Sequence, residues 1–416
     1  MFARRHWIPP AALVYAHLAH GFSWVLLLWA AWSANTSHGY VGFAWIHTVA
    51  LAWVTMAAFA VLIHAMPNFV DVEWRGESIA RWSLVAFGVG AALMIYGFLA
   101  NPRLIGGGGD LLFAAILVYL ATAFWTLSVA MRGERVQRAV ARAFSGTFFF
   151  LLATAVIGYG LAGMLAGRGV MWAASLPAAH ATLGTLGWLC LLIFGVSMRT
   201  LRPIAGAQTR FRWMHIVVGS FTLLGVPLLA AGLAIHNGVL AWVGAAFFAI
   251  AALGYAFDVF DILRRAQVSH RAPQAFVAAA VLWFLAALAI GGCTLAGGNP
   301  WENAYIFALL AGWIGQMVLA HFHHIGVRLI ATMYRGEEDE TGPQELLEPR
   351  LSWFTFGAFQ IAVALVVIGL LDDRFGLIAR GAVFGISGWI AMTANILAAR
   401  ARAKVLPKTV SLLGRE

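Results

Sequence analysis

A chain of 416 residues that is 62% hydrophobic and 11% charged, with a mean hydropathy of +0.83, is too apolar for a water-soluble domain of that length. Its formal net charge of +10 would suit a nucleic-acid surface only if the basic residues were gathered, and they fall between hydrophobic runs instead. What remains is an all-α integral membrane protein embedded in a lipid bilayer, with no nucleic-acid partner.

Apolar runs of transmembrane length recur from end to end. In chain order they predict spans near 10–34, 40–67, 79–99, 110–131, 144–167, 172–200, 211–235, 239–263, 273–296, 303–333, 351–371 and 377–400. The start, Met1-Phe2-Ala3-Arg4-Arg5, is basic, but no small-residue cleavage site follows a short apolar core. Span one is long and rich in tryptophan, so it reads as a retained span rather than a signal peptide. Gly106-Gly107-Gly108-Gly109 reads as a flexible turn before span four, not a phosphate loop, because no Lys-Ser/Thr follows. Gly336–Pro343 carries Glu337, Glu338, Asp339 and Glu340 and reads as a solvated connector. Cys190 and Cys293 both lie in apolar runs, so no disulfide is expected. The whole chain, 1–416, forms one polytopic membrane domain.

Twelve spans put both termini on one side. With that side cytoplasmic, all but four of the 27 Lys and Arg residues fall on it, the exceptions being Arg103, Arg168, Arg374 and Arg380. This asymmetry predicts a bacterial-type cytoplasmic (inner) membrane protein with both termini inside.

Histidines are the chemical feature of the spans. Span ten carries Ala320-His321-Phe322-His323-His324-Ile325-Gly326-Val327-Arg328, span two carries His47 through Trp53, and span six carries His180 through Trp188. Ionisable side chains are costly in hydrocarbon, and a neutral imidazole is commonly held there by a metal. Spans two, six and ten are four apart, which predicts three repeats of four helices, near 1–140, 141–270 and 271–416, with the histidine-bearing helix second in each.

Twelve spans, a histidine in span two, another in span six and a His-x-His pair in span ten resemble the catalytic subunit of the heme–copper oxidase superfamily. The segments from His47 to Phe69 and from His180 to Pro203 also resemble the NnrS family of membrane proteins associated with the nitric oxide response. The oxidase resemblance implies that His47 and His323 are axial ligands of a low-spin heme b, that His321 holds a second, high-spin heme, and that His180 is a copper ligand. Arg374 and Arg380, between spans eleven and twelve, would then bind heme propionates. This chain departs from the pattern where Gly225-Val226-Pro227-Leu228-Leu229 replaces the His-His pair of span seven, and where Gly184 stands four residues after His180 in place of a tyrosine. Intramembrane carboxylates are nearly absent, so a proton-pumping terminal oxidase is not expected. The resemblance implies binding or processing of a diatomic gas, nitric oxide or oxygen, or electron transfer from a donor protein.

Helix rise gives an independent reading. At about 1.5 Å per residue, His47 and His180 lie roughly 10–12 Å below the outer end of their spans, and His321, His323 and His324 roughly 27–32 Å. His17 and His20 come out at roughly 24–29 Å, His215 at about 30 Å and His64 at about 36 Å. Two arrangements therefore stand open. In one, His47 and His323 share a heme. In the other, His47 and His180 share an outer site, while His17, His20, His64 and the span-ten cluster, including His324, build an inner metal or heme site. His17 and His20, at i and i+3, share a helix face, as do His321 and His324. His215 reads as a helix–helix hydrogen-bonding group, and His6, His38, His236 and His270 as surface residues. The alternative function is a polytopic transporter or metal-handling membrane protein with histidine ligands.

Overall fold

The structure, a computed structural model, describes residues 7–32, 39–297, 301–336 and 342–405. His6, His38 and most of the acidic connector, 337–341, lie outside the described residues. Among those described there is no strand. Twelve helices are long and apolar enough to cross a membrane: α1 (Ile8–Trp32), α2 (Tyr40–Val70), α3 (Glu77–Leu99), α4 (Arg103–Ala130), α5 (Arg135–Leu165), α6 (Pro177–Ala205), α7 (Met214–Ala234), α8 (Gly238–Arg264), α9 (Arg271–Leu295), α10 (Glu302–Arg335), α11 (Pro349–Leu371) and α12 (Phe375–Val405). An even number of crossings returns the chain to the side it left. The end of the bundle holding Ile8 and Val405 is here the terminal end, and the other the distal end.

Three boundaries differ from the sequence expectation, each for a local reason. Gly106–Gly109 are not a turn but lie inside α4, where the lack of side chains lets α3 approach: a Cβ on Gly108 would sit 2.6 Å from the Met94 backbone nitrogen. α5 begins nine residues before its apolar run, because a capping box formed by Glu134 and Gln137 starts a polar helical turn there. α6 begins five residues late. The apolar segment before it is a loop with Gly167 and Gly169 at positive φ, and it is apolar because Ala173 is buried and Trp172 packs over Gly160 of α5.

The same contacts recur every four helices. α3–α4, α7–α8 and α11–α12 are the most extensively packed pairs. Each is a hairpin whose backbones meet at glycines. Gly90, Gly97 and Gly108 serve the first hairpin, Gly225, Gly232 and Gly244 the second, and Gly369 and Gly381 the third. Small residues are how membrane helices gain van der Waals contact where lipid offers no hydrophobic drive. Between hairpins, α4 packs on α5, α8 on α9, and α12 back on α1.

α2, α6 and α10 meet inside, and α10 and α2 are the most deeply buried of the twelve. Each contains an eight-residue π-helical stretch, at Thr48–Thr55, Leu183–Cys190 and Ala308–Gly315. π turns are rare and concentrate at functional positions. A buried tryptophan is sixth in each stretch, at Trp53, Trp188 and Trp313.

These tryptophans close a ring. Trp188 Nε1 donates to Thr55 Oγ1 at 3.1 Å, and Trp313 Nε1 donates to Cys190 Sγ at 3.3 Å. Trp53 lies against Gly315, where a Cβ would be 2.9 Å from its Cη2. Thr55, Cys190 and Gly315 are each the eighth residue of their stretch. Each indole also faces a ring from the helix just before its own: His20 for Trp53 at 3.9 Å, Phe148 for Trp188 at 5.9 Å and Phe284 for Trp313 at 4.6 Å. A further polar cluster joins helices in the same manner. Gln316 and Gln360 join α10 to α11 through their amides, and Trp283 Nε1 donates to Gln360 Oε1 at 3.2 Å.

Candidate functional site

His47 precedes the π stretch of α2 directly, and His180 lies one turn into α6, so both sit toward the distal end. Rise along the helices puts them about 10 Å and about 5 Å below it. His180 is shallower than expected because α6 starts at Pro177. Their imidazole centroids are 6.4 Å apart and the planes lie within 18° of parallel. Phe98 of α3 flanks His47 at 5.1 Å, and Gly158 of α5 makes room for His180, since a Cβ there would come within 2.7 Å of Cε1.

The proton inventory of the pair is informative. His47 Nδ1 lies 2.7 Å from the Phe43 carbonyl oxygen, and His180 Nδ1 lies 3.0 Å from that of Thr154. A carbonyl only accepts, so Nδ1 is the protonated nitrogen in both rings and the Nε2 lone pair is left bare. That is the tautomer in which a histidine ligates a metal, with its ring held by a second hydrogen bond.

Pseudo-symmetry adds a comparison within the chain. Counted back from the tryptophans, His180 in α6 corresponds to Trp45 in α2, and His47 in α2 corresponds to Phe307 in α10. Trp45 and Phe307 are themselves partners, stacked at 5.0 Å and 25° and almost fully buried. So one seam between inner helices is closed by an aromatic stack, and the equivalent seam holds two histidines set further apart.

The remaining histidines disperse. His323 Nδ1 donates to the Leu319 carbonyl and its ring packs on Phe276 of α9 at 5.2 Å. His47 therefore meets His180 and not His323. His321 turns to α6, with Nδ1 on the Met317 carbonyl at 2.7 Å and Nε2 on Thr200 Oγ1 at 2.6 Å. His20 accepts from Trp24 Nε1 at 3.1 Å through Nε2, which uses the lone pair a metal would need. His17 instead meets Thr393 of α12 at 2.8 Å through Nε2 and stacks on Trp389. His64 and His324 fall at equivalent positions of α2 and α10, His64 within electrostatic reach of Glu77 and Arg81 and His324 of His321 and Arg328. Among the described residues, no group of three or more His, Cys, Asp or Glu is placed to hold a metal ion. His17, His20, His64 and His324 are therefore not grouped with two further ligands of these types among the described residues.

His270 is not an ordinary surface residue. It is half-buried between α8 and α9, its Nε2 is buried without a partner, and burial holds its pKa below the usual histidine value. Arg374 leans on Asp372 at 3.5 Å with both side chains exposed, and Arg380 is exposed as well. Sequence reading put Arg168 on the distal side but missed its partner: it grips Asp110 of α4 through two hydrogen bonds of 2.7 and 2.8 Å. Its spacing from Asp110 carries no local signal.

No protein-family model matches this chain, and comparison with curated proteins finds no relative.

Proposed function

We propose that this is a heme-binding membrane protein in which His47 and His180 hold one heme b between α2 and α6, and that it transfers electrons. One observation carries this reading: two near-parallel imidazoles, 6.4 Å between centroids, each with Nδ1 tied to a backbone carbonyl. The spacing fits the group. A metal ion sits about 2 Å from each ligating nitrogen, and a ring centroid lies about 1 Å beyond its nitrogen. A pair holding a metal between them would span roughly 6 Å between centroids, close to the 6.4 Å found. A heme so held supplies one-electron chemistry.

The protein's part is to orient and to exclude water. The Phe43 and Thr154 carbonyls fix the ring planes, Gly158 admits the His180 ring, and Phe98 and Phe43 give an apolar surround. His47 and His180 would together hold such a heme and leave no ligand position for nitric oxide or oxygen, which favours electron transfer over gas processing. Copper has no place in this proposal. A distal electron-donor protein belongs to it, as does residence in a bacterial-type inner membrane with both termini cytoplasmic, which the arginine asymmetry supports.

Protein extracted gently from cells supplied with heme precursor should show a Soret band and reduced b-type bands, and both His47→Ala and His180→Ala should lose them while His323→Ala keeps them. A colourless wild type binding copper or zinc stoichiometrically would favour the metal-handling transporter instead. A colourless, metal-free one would leave the proposal without support.

A further inference from the structure

At the terminal end, two loops and the last turns of their helices build a second site that none of the histidine chemistry uses. The 206–213 loop, between α6 and α7, and the 265–270 loop, between α8 and α9, are laced together. Gln267 N donates to the Ala205 carbonyl at 2.7 Å, Gln274 Nε2 donates to the carbonyls of Ile204 and Val268, and Thr209 Oγ1 donates to the buried Asp258 at 2.6 Å. Between them opens a cavity of about 550 Å³ lined by Gly206, Ala207, Gln208, Arg210, Arg265 and Gln267.

Its electrostatics are one-sided. Arg210 and Arg265 line it, and Arg212 and Arg264 lie beside it in sequence. Of the carboxylates nearby, Asp261 takes Arg264 at 2.9 Å and Arg265 through Nε at 3.1 Å and Nη2 at 2.5 Å, and Asp258 is turned inward, with Oδ1 on Thr209 and Oδ2 buried without a partner. Arg265 Nη2 also donates to the Gln208 carbonyl at 2.8 Å. This guanidinium is therefore fixed before any ligand arrives, with Nη1 left for a further acceptor, and Arg210 stands exposed beside it. A pre-set arginine with an exposed second one and amide side chains beside it suits a phosphate oxyanion.

The surroundings say what carries the phosphate. Phe211 packs on Trp213 at 6.5 Å and on Phe257 of α8 at 5.4 Å. Trp213 is 58% exposed and Phe257 55%. Phe257 lies seven residues before Arg264, about 10 Å further into the bilayer along the helix. An exposed aromatic group just below an arginine pair is the layering of a membrane interface, acyl chains beside the rings and headgroups at the arginines.

We infer that this cavity is a binding site for the headgroup of an anionic phospholipid, its phosphate held by Arg210 and Arg265 and its chains lying along Trp213 and Phe257. The site is independent of the heme proposal and is tested without reference to it. Delipidated, detergent-solubilised protein is titrated with phosphatidylglycerol, with phosphatidylcholine and with inorganic phosphate, following the thermal midpoint. Phosphatidylglycerol should raise the midpoint saturably. Arg210→Gln should weaken its apparent affinity by about fivefold, the worth of one arginine at a membrane surface. Arg132→Gln, an exposed terminal-end arginine elsewhere, should leave it unchanged. An Arg210→Gln protein with wild-type affinity would overturn the site. Equal effects from phosphatidylcholine would overturn the charge recognition, and equal effects from inorganic phosphate the lipid as its source.

Discussion

Two features together set His47 and His180 apart: each spends Nδ1 on a carbonyl and keeps Nε2, and the two rings face each other. His323 shares the tautomer but packs on Phe276, and His20 spends Nε2 on an indole N–H. The histidine types and their neighbourhood in α2, α6 and α10 were legible in the sequence, because imidazoles in apolar runs stand out. Which ring meets which was not, since that depends on rotation and depth, and a five-residue shift in the start of α6 moves His180 by about 7 Å. The residue that most directly admits the pair is Gly158, which has no motif to mark it. Gly158→Val should push the His180 ring out of line and cut the heme content of purified protein severalfold, with far-ultraviolet circular dichroism unchanged. Full heme loading in this variant would show that His180 need not stand where it does.

At the scale of elements, the tight hairpin is the repeated unit of construction. The glycines of α3–α4 read as a loop because four in a row are poor helix formers. They are helical because the Met94 backbone presses where Gly108 has no Cβ, and only tertiary contact supplies that reward. A side chain there meets backbone, which has nowhere to yield. Gly108→Val should cost about 1–3 kcal/mol, and Gly225→Val in the equivalent hairpin a similar amount, since its Cβ would lie 2.7 Å from Phe248 N. Gly107→Val, where nothing lies within 4 Å, is the control and should change stability little. Thermal inactivation in mild detergent reads all three.

For the molecule as a whole, closure depends on the tryptophan ring and on α12 returning to α1. The ring joins each inner helix to the next through one position, so a change at one indole is felt between helices rather than within one. Trp188→Phe keeps most of the packing and removes the bond to Thr55, and should cost about 1 kcal/mol. Trp188→Ala also opens a cavity against Phe148 and Phe59 and should cost about 3–5 kcal/mol. Similar losses for the two, measured by denaturant-induced unfolding in detergent, would mean that the indole contributes through its N–H alone. Of the seams between the inner helices, that between α2 and α6 holds the histidine pair, and that between α10 and α2 is filled by Trp45 on Phe307.

By itself the sequence determined the class of molecule: twelve apolar helices of membrane-spanning length, with histidines in the second, sixth and tenth among others. Those follow from transfer free energy, which is a property of each segment taken alone. Tertiary structure decided the partners. The meeting of His47 with His180, the π stretches that seat three tryptophans against their neighbours, and the two loops that build an arginine-lined cavity all arise where separate segments touch. Packing and hydrogen bonding between helices have no signature within either segment, so these features appear only once the chain has folded.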